Sequence, residues 1–406
     1  MKILVLNGGS SSLKGLLCDL GKPLPRQPPP ALWELNVQWG LRPGFAEMQV
    51  RRGNGKTESQ EIPIHSPADA IGPALETLWS GPSRSITAPG EIDVVGHRVV
   101  HGGSRLTASS RITAEVKEEI AKVAEFAPEH NPLELQVIAT AERLVGKAAV
   151  QVAVFDTAFH STLPREAAVY PGPYRWFEQG IRRYGFHGIS HRYASRRAAE
   201  IVGKNVSSLR MVSCHLGNGC SLAAIKDGVS VDTTMGFTPL EGLMMGTRSG
   251  SIDPGILIYL ARQHGRTADE LDHMLNEESG LKGISGVSGD MREILAAISS
   301  GNPRAKLAFD IYAHRLCGGL GAMIATLGGL DVLAFTAGVG EHCAPLRERV
   351  CQRFGFLGIR LDSEKNAASP PDGEISTAES AVRVLIIHAE EDWEIMRECY
   401  RLASER

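Results

Sequence analysis

Lys2-Ile3-Leu4-Val5-Leu6-Asn7-Gly8-Gly9-Ser10-Ser11-Ser12-Leu13-Lys14 stands at the head of the chain, and its reading decides the fold. The apolar run over residues 3–6 has the length of a buried strand. Asn7-Gly8-Gly9 predicts a tight turn. Without a Cβ, glycine lets backbone N–H groups come close to a ligand. Three hydroxyls and the Lys14 ammonium follow, so the turn can cradle phosphate oxygens and place an amide near a cation. The plainer alternative is a hairpin that happens to be rich in serine. The G-x-x-x-x-G-K-[ST] spacing of a Walker A loop is absent.

The same order of features returns in the second half. Residues 211–215 read as a strand, followed by Leu216-Gly217-Asn218-Gly219-Cys220-Ser221-Leu222 and a second strand that ends in a polar turn at residues 226–228. Strand, Gly/Asn turn, Ser-Leu and second strand thus occur twice, which predicts a duplicated fold with one hairpin per half. A third strand, residues 332–335, runs into Thr336-Ala337-Gly338-Val339-Gly340-Glu341-His342. Any one Gly-rich turn after a strand is a weak signal. Three of them suggest a nucleotide held by backbone amides from both halves.

Between these landmarks the chain alternates strands with helices, which argues for an α/β class. A hairpin is expected over residues 2–20, an exposed proline-rich loop over 22–30, and short strands over 31–65. Helical spacing covers 68–79, 113–126 (capped by Thr113), 132–145 and 305–327, the last stopping at Gly328-Gly329. Further strands are expected at 92–95, 148–155 and 384–387, with a closing helix from about Asp392. At 406 residues, the chain has room for two or three domains. Its formal charge of −3 gives no basis for a nucleic-acid or membrane-surface partner. No apolar run is long enough to span a bilayer. The seven cysteines form no CxxC pair, which predicts reduced thiols, a cytoplasmic setting and no cysteine-bound metal.

Several side chains stand where chemistry is done. Arg98 ends a strand in Gly96-His97-Arg98-Val99-Val100-His101-Gly102-Gly103, and Arg248 sits in Met244-Met245-Gly246-Thr247-Arg248-Ser249-Gly250. A guanidinium among small residues can grip phosphoryl or carboxylate oxygens in bidentate fashion, although a structural salt bridge is the ordinary use of either. Asp156 closes a buried strand, at the end where α/β enzymes bind ligands. It could hold a metal or act on the attacking oxygen. His187 lies between aromatics, a setting that also suits a satisfied core histidine. Glu390-Glu391-Asp392 could supply a hard oxygen ligand for Mg2+, or merely enrich a helix N-terminus in acids. No G-x-S-x-G elbow is present, which disfavours a hydrolase triad.

Taken together, these motifs resemble the acetate kinase family. The matching pieces are residues 6–14, Gly96 to Gly103, Phe155-Asp156-Thr157-Ala158-Phe159-His160, Tyr184-Gly185-Phe186-His187-Gly188, His215 to Gly219, residues 238–254 and Phe335 to Glu341, in family order. The resemblance implies a two-domain, duplicated fold of the actin, Hsp70 and sugar-kinase type (ribonuclease H-like), with the active site in the interdomain cleft. Domain one would cover 1–154, joined by the helix at 391–406, and domain two 155–390. The implied reaction is reversible transfer of the ATP γ-phosphoryl group to acetate, and the implied assembly a homodimer. By motif position, Asn7 and Glu391 would contact Mg2+, with Mn2+ as an alternative ion. Lys14, His215, Leu216, Gly217, Asn218, Gly219, Asp290, Met291, Arg292, Gly338, Val339, Gly340, Glu341 and His342 would line the nucleotide site. Arg98 would hold the carboxylate, with Val100, Phe186 and Pro239 forming an apolar acyl pocket. Asp156 would be the essential carboxylate, and His187 and Arg248 would stabilise the transferring group.

Three positions depart from the family pattern. Ala389-Glu390-Glu391-Asp392 replaces the usual Thr-Asn-Glu-Glu, so the metal ligand is Glu391 or, in the other register, Glu390. Glu129 precedes His130-Asn131-Pro132 where an apolar residue is usual. A carboxylate there would repel an anionic substrate unless it turns away or is paired. Met291 stands where an aromatic is common. Rival readings are a propionate or butyrate kinase with the same mechanism, or a non-catalytic actin-like ATP-binding protein.

Overall fold

Pairing of the first two apolar runs starts the first sheet. In the computed structural model, which describes residues 1–9, 11–53 and 55–405, β1 (Lys2–Gly9) runs antiparallel to β2 (Ser12–Asp19). Lys2 lies opposite Asp19, and Gly9 opposite Ser12. Asn7-Gly8-Gly9 is therefore the end of a strand and not the expected turn. Extended backbone through Gly9 lets the ladder satisfy its N–H and C=O groups, so pairing runs on to Gly9 opposite Ser12. Ser10 lies outside the described residues.

The remaining strands of this sheet are β3 (Trp33–Arg42), β4 (Phe45–Arg52), β5 (Thr57–Pro63), β6 (Val94–Val99), β7 (Ser110–Arg111) and β8 (Val150–Phe155). Their spatial order is β5-β4-β3-β2-β1-β6-β8-β7. β6 is parallel to both β1 and β8. Alternation along the strands divides the residues between two faces. Leu4, Leu6 and Val95 join a core with Val137 and Ala141 of the Asn131–Val145 helix. On the other face, the closing helix Glu391–Ser404 packs on β1, β6 and β8. Its approach is so close that a Cβ on Gly96 would collide with Cys399 Sγ and Ile395. Thr113 caps the helix Ala114–Lys122 by accepting a hydrogen bond from Val116 N–H. The rest of the expected 113–126 helix tightens into a 3-10 turn, Val123–Phe126.

The second sheet comprises β9 (Arg210–Leu216), β10 (Cys220–Lys226), β11 (Val229–Thr233), β12 (Val332–Thr336), β13 (Gly373–Glu374) and β14 (Arg383–Ile387), in the order β11-β10-β9-β12-β14-β13. Five strands of each sheet share one plan. β3-β2-β1-β6-β8 and β11-β10-β9-β12-β14 each have an antiparallel hairpin, a third antiparallel strand, and two strands added in parallel. This is the duplication expected from the paired hairpins. The helices Gly188–Val202 and Pro303–Leu327 both pack against this sheet. The longer one ends at Gly328, in the left-handed conformation (φ 65°).

The chain divides into two compact units. One is Met1–Ala158 with the C-terminal segment from Glu390, and the other is Phe159–Ala389. The first therefore takes in Asp156, which the boundary drawn from sequence after residue 154 assigned to the second. Among the described residues, no helix is long and apolar enough to cross a membrane.

Candidate active site

The first unit gathers charge at the ends of its central strands. Arg98, at the end of β6, donates from Nη2 to Asp156 Oδ2 (2.5 Å) and from Nε to Oδ1 (3.3 Å). Its Nη1 donates to Asn7 Oδ1 at 3.1 Å. Burial works against the Arg98 charge, but Asp156 and then Glu391 more than offset it and hold the group above its ordinary range. Burial likewise raises Glu391, with Arg98 pulling down and Asp156 pushing up. Burial, then Glu391, pushes Asp392 up to about 6. Lys14 lies exposed on β2, directly opposite Asn7.

Just past Arg98, Val100 is buried, and its N–H donates to both carboxyl oxygens of Glu134 at 3.2 Å. Burial pushes Glu134 up to about 8, against the pull of Arg98. Sequence reading passed over this residue. The signal was a glutamate in line with Ile138 and Ala141 on the buried stripe of the Asn131–Val145 helix. Glu129 is exposed to solvent.

The second unit brings three of the expected nucleotide segments around one cavity of about 670 Å3. Its lining includes Gly217, Asn218, Gly289, Asp290, Met291, Arg292, Gly338, Val339 and His342, joined by Leu295 and Cys343, which sequence reading did not place there. Asp290 caps the Met291–Ser299 helix, accepting from Arg292 N–H at 2.8 Å and pairing with the Arg292 guanidinium. Leu216, His215, Gly340 and Glu341 are not part of this lining. Leu216 is buried in β9. The Gly340 carbonyl accepts from Arg347. The Glu341 carboxylate faces the other way, accepting from Ala389 N–H (3.0 Å) and meeting His388 Nδ1 at 2.8 Å.

Beside the Gly217-Asn218-Gly219 turn stand histidines held by serines. His187 starts the Gly188–Val202 helix in the left-handed conformation (φ 57°), and its Nδ1 lies 2.9 Å from Ser221 Oγ. Its ring stacks on His215 at 4.1 Å, and His215 Nδ1 meets Ser190 Oγ at 2.7 Å. Arg248 donates from Nη1 to the Pro239 carbonyl at 3.4 Å. A Cβ built on Gly219 would meet His187 Nε2 at 3.4 Å and Arg248 Nη1 at 3.5 Å. A guanidinium and an imidazole therefore converge on Gly219, a turn residue without a side chain. Phe186 is buried, and its carbonyl meets His160 Nε2 at 3.0 Å.

A family model described as "Acetokinase family" matches residues 2–397. The chain belongs to the acetokinase family. It is 56% identical over 402 residues to an acetate kinase of Gloeobacter violaceus, with 99% of each chain covered. Its fold is similar to a Porphyromonas gingivalis acetate kinase (TM-score 0.90, 41% identity, 99% of each chain). It is also similar to a propionate kinase from Francisella tularensis (TM-score 0.89, 35% identity, 98% of this chain and 99% of the other). Membership of the acetokinase family makes the chain an ATP-dependent kinase acting on a carboxylate, with ATP and ADP as co-substrates. It also confirms the duplicated actin-like fold class.

Proposed function

We propose that this acetokinase-family member transfers the γ-phosphoryl group of ATP directly, in line and reversibly, to acetate, giving acetyl phosphate and ADP. The convergence of Arg248 Nη1 and His187 Nε2 on Gly219 carries the reading. The transferring group spreads negative charge over three equatorial oxygens, so catalysis rests on positioning and fixed donors. Two donors beside a Gly-rich turn at the rim of a cavity supply that. The cavity would take the nucleotide through residues 217–218, 290–292, 338–339 and 342. Glu341 would act indirectly, by holding the segment in place.

Arg98 would bind the acetate carboxylate, with Val100, Phe186 and Pro239 against the methyl group. Acetate is already ionised at neutral pH, so no strong base is needed. Asp156 would therefore orient its neighbours rather than accept a proton. The residues fit a magnesium ion. Asn7 Oδ1, Asp156 and Glu391 offer hard oxygen donors, and burial, with neighbouring carboxylates adding to it, raises Glu391 and Asp392, a penalty that a cation would relieve. Asn7 and Glu391 would hold Mg2+, or Mn2+ in its place, with Glu390 the ligand of the other register. When bound, the ion neutralises phosphate charge. The exposed Ile256, Ile258 and Tyr259 of the helix Pro254–His264 support a homodimer formed through that face. The seven free cysteines support a cytoplasmic setting.

The likeness to a propionate kinase favours one second reading, the same chemistry on a longer acid. One methylene changes discrimination by only about 1–3 kcal/mol. Hydroxylamine trapping of the acyl phosphate, with Mg-ATP and formate, acetate, propionate or butyrate, tests both. Highest kcat/KM with acetate is expected, and a preference for propionate would install the second reading. Absence of product with every acid would overturn the assignment.

A further inference from the structure

The histidines of the second unit are joined by more than proximity. Ser213 and His215 lie on one face of β9, two residues apart, and Ser221 on β10 is directly opposite His215. The Gly188–Val202 helix brings His187 and His191 to these residues. His191 is fully buried, with Nδ1 3.0 Å from Ser213 Oγ and Nε2 2.7 Å from Ser221 Oγ. Ser221 Oγ in turn lies 2.9 Å from His187 Nδ1. The four groups form a line: Ser213, His191, Ser221, His187.

A line of hydroxyls and neutral imidazoles can run in two directions, because each neutral ring has one N–H donor and one bare nitrogen. In one direction Ser213 O–H donates to His191 Nδ1, His191 Nε2–H to Ser221, and Ser221 O–H to His187 Nδ1. In the other, every donor reverses, and the Ser213 hydroxyl proton must find a different acceptor. Ser213 is fully buried, and among the described residues its hydroxyl meets only His191 Nδ1. The reversed line therefore leaves a buried O–H without a partner, which is costly. Burial, helped by His160 and His215, also keeps His191 neutral, as the line requires.

We propose that Ser213, His191 and Ser221 are positioning residues that fix His187 in the tautomer with its proton on Nε2. This rests on the reading of His187 as a donor to the transferring phosphoryl group. Nε2 is the nitrogen beside Gly219 and Arg248. The line thus supplies a neutral, oriented N–H donor where negative charge accumulates, with no proton transfer and no net charge added. A protonated His187 would need Nδ1 to donate, which reverses the line.

The test is long-range 1H–15N correlation on the full chain labelled with 15N-histidine, with His187 assigned by its loss in H187Q. The expected result at neutral pH is a protonated Nε2 and a bare Nδ1 in the wild-type protein. An Nδ1–H tautomer or an imidazolium would overturn the proposal, and this arm needs no variant to fold. Ser221→Ala should mix or reverse the tautomer and lower kcat about 10-fold with KM values within about twofold. Ser221→Thr, which keeps the hydroxyl, should restore both. An unchanged His187 tautomer in Ser221→Ala would also overturn it. Full turnover in H187Q alongside the expected wild-type tautomer would instead remove His187 from phosphoryl transfer and leave the hydrogen-bond line standing.

Discussion

The two units use one strand plan for opposite electrostatic purposes. At the ends of β1, β6 and β8, the first presents Asn7, Arg98 and Asp156, with Glu391 and Asp392 near by: full charges held in place by each other. At the β9–β10 hairpin, the second presents His215 and Ser221 to His187 and His191, an array tied by hydroxyls. The β1–β2 and β9–β10 hairpins share pairing and place in the sheet, so the backbone does not decide which chemistry appears. The difference teaches that burial is offset in two ways. Charges need a counter-charge at hydrogen-bond distance, whereas neutral dipoles need only a complete set of partners.

The sharpest way to break this comparison is Arg98→Ala. It removes the cation proposed to hold the acetate carboxylate and leaves Asp156 buried without its partner. Activity should fall about 10^3-fold or more. Breaking the buried pair should cost about 3–5 kcal/mol in urea unfolding. Lost stability with retained turnover would make the charged end purely structural. Asp156→Asn comes next, with kcat down about 10^2-fold at saturating Mg2+ and no recovery on raising the pH. Near-normal turnover would end the orienting role. His187→Gln should cost less than either, about 10-fold in kcat, because one neutral donor is lost and no buried charge is stranded.

Val100→Ala would sharpen the substrate side of the comparison. Removing two methyl groups from the proposed acyl pocket should move the propionate-to-acetate ratio of kcat/KM up by about 10-fold. The smallest effect is expected from Glu134→Gln. Burial in the folded protein pushes Glu134 up to about 8, well above its ordinary range. Folding therefore favours its protonated form, and stability declines as pH rises from about 5 through 8. Gln imitates the protonated acid, so the variant should keep wild-type activity at pH 7 and show a flatter Tm over that interval. An equally steep profile in the variant would place the pH dependence elsewhere.

Strands and their duplication were legible because apolar runs and Gly/Asn turns are local signals. The segments 217–219, 290–292 and 338–342 could likewise be named from motifs, yet their meeting around one cavity depends on where distant loops end. Local reading failed where pairing decided the outcome. Asn7-Gly8-Gly9 has turn composition, but the ladder with β2 carries it to the end of a strand. Glu341 sits in a glycine-rich motif, but its carboxylate is claimed by His388 and the Ala389 N–H, 47 and 48 residues further on. Ser213, Ser221 and His191 look unremarkable in sequence. They become a set only because β9 pairs with β10 and His191, on a helix packed against β9, reaches a serine of each.

The closing helix has a consequence for how this protein is made. Residues 391–404 complete the sheet that begins at Lys2, and Gly96 is shaped to receive Cys399 and Ile395. A ribosome finishes the first-synthesised unit last. Until residues 391–404 are made, one face of β1, β6 and β8 waits uncovered, while the second unit already has its own helix, Gly188–Val202, in hand. The nascent chain thus carries its window of aggregation risk in this unit, and that window shuts only once residues 391–404 have been made.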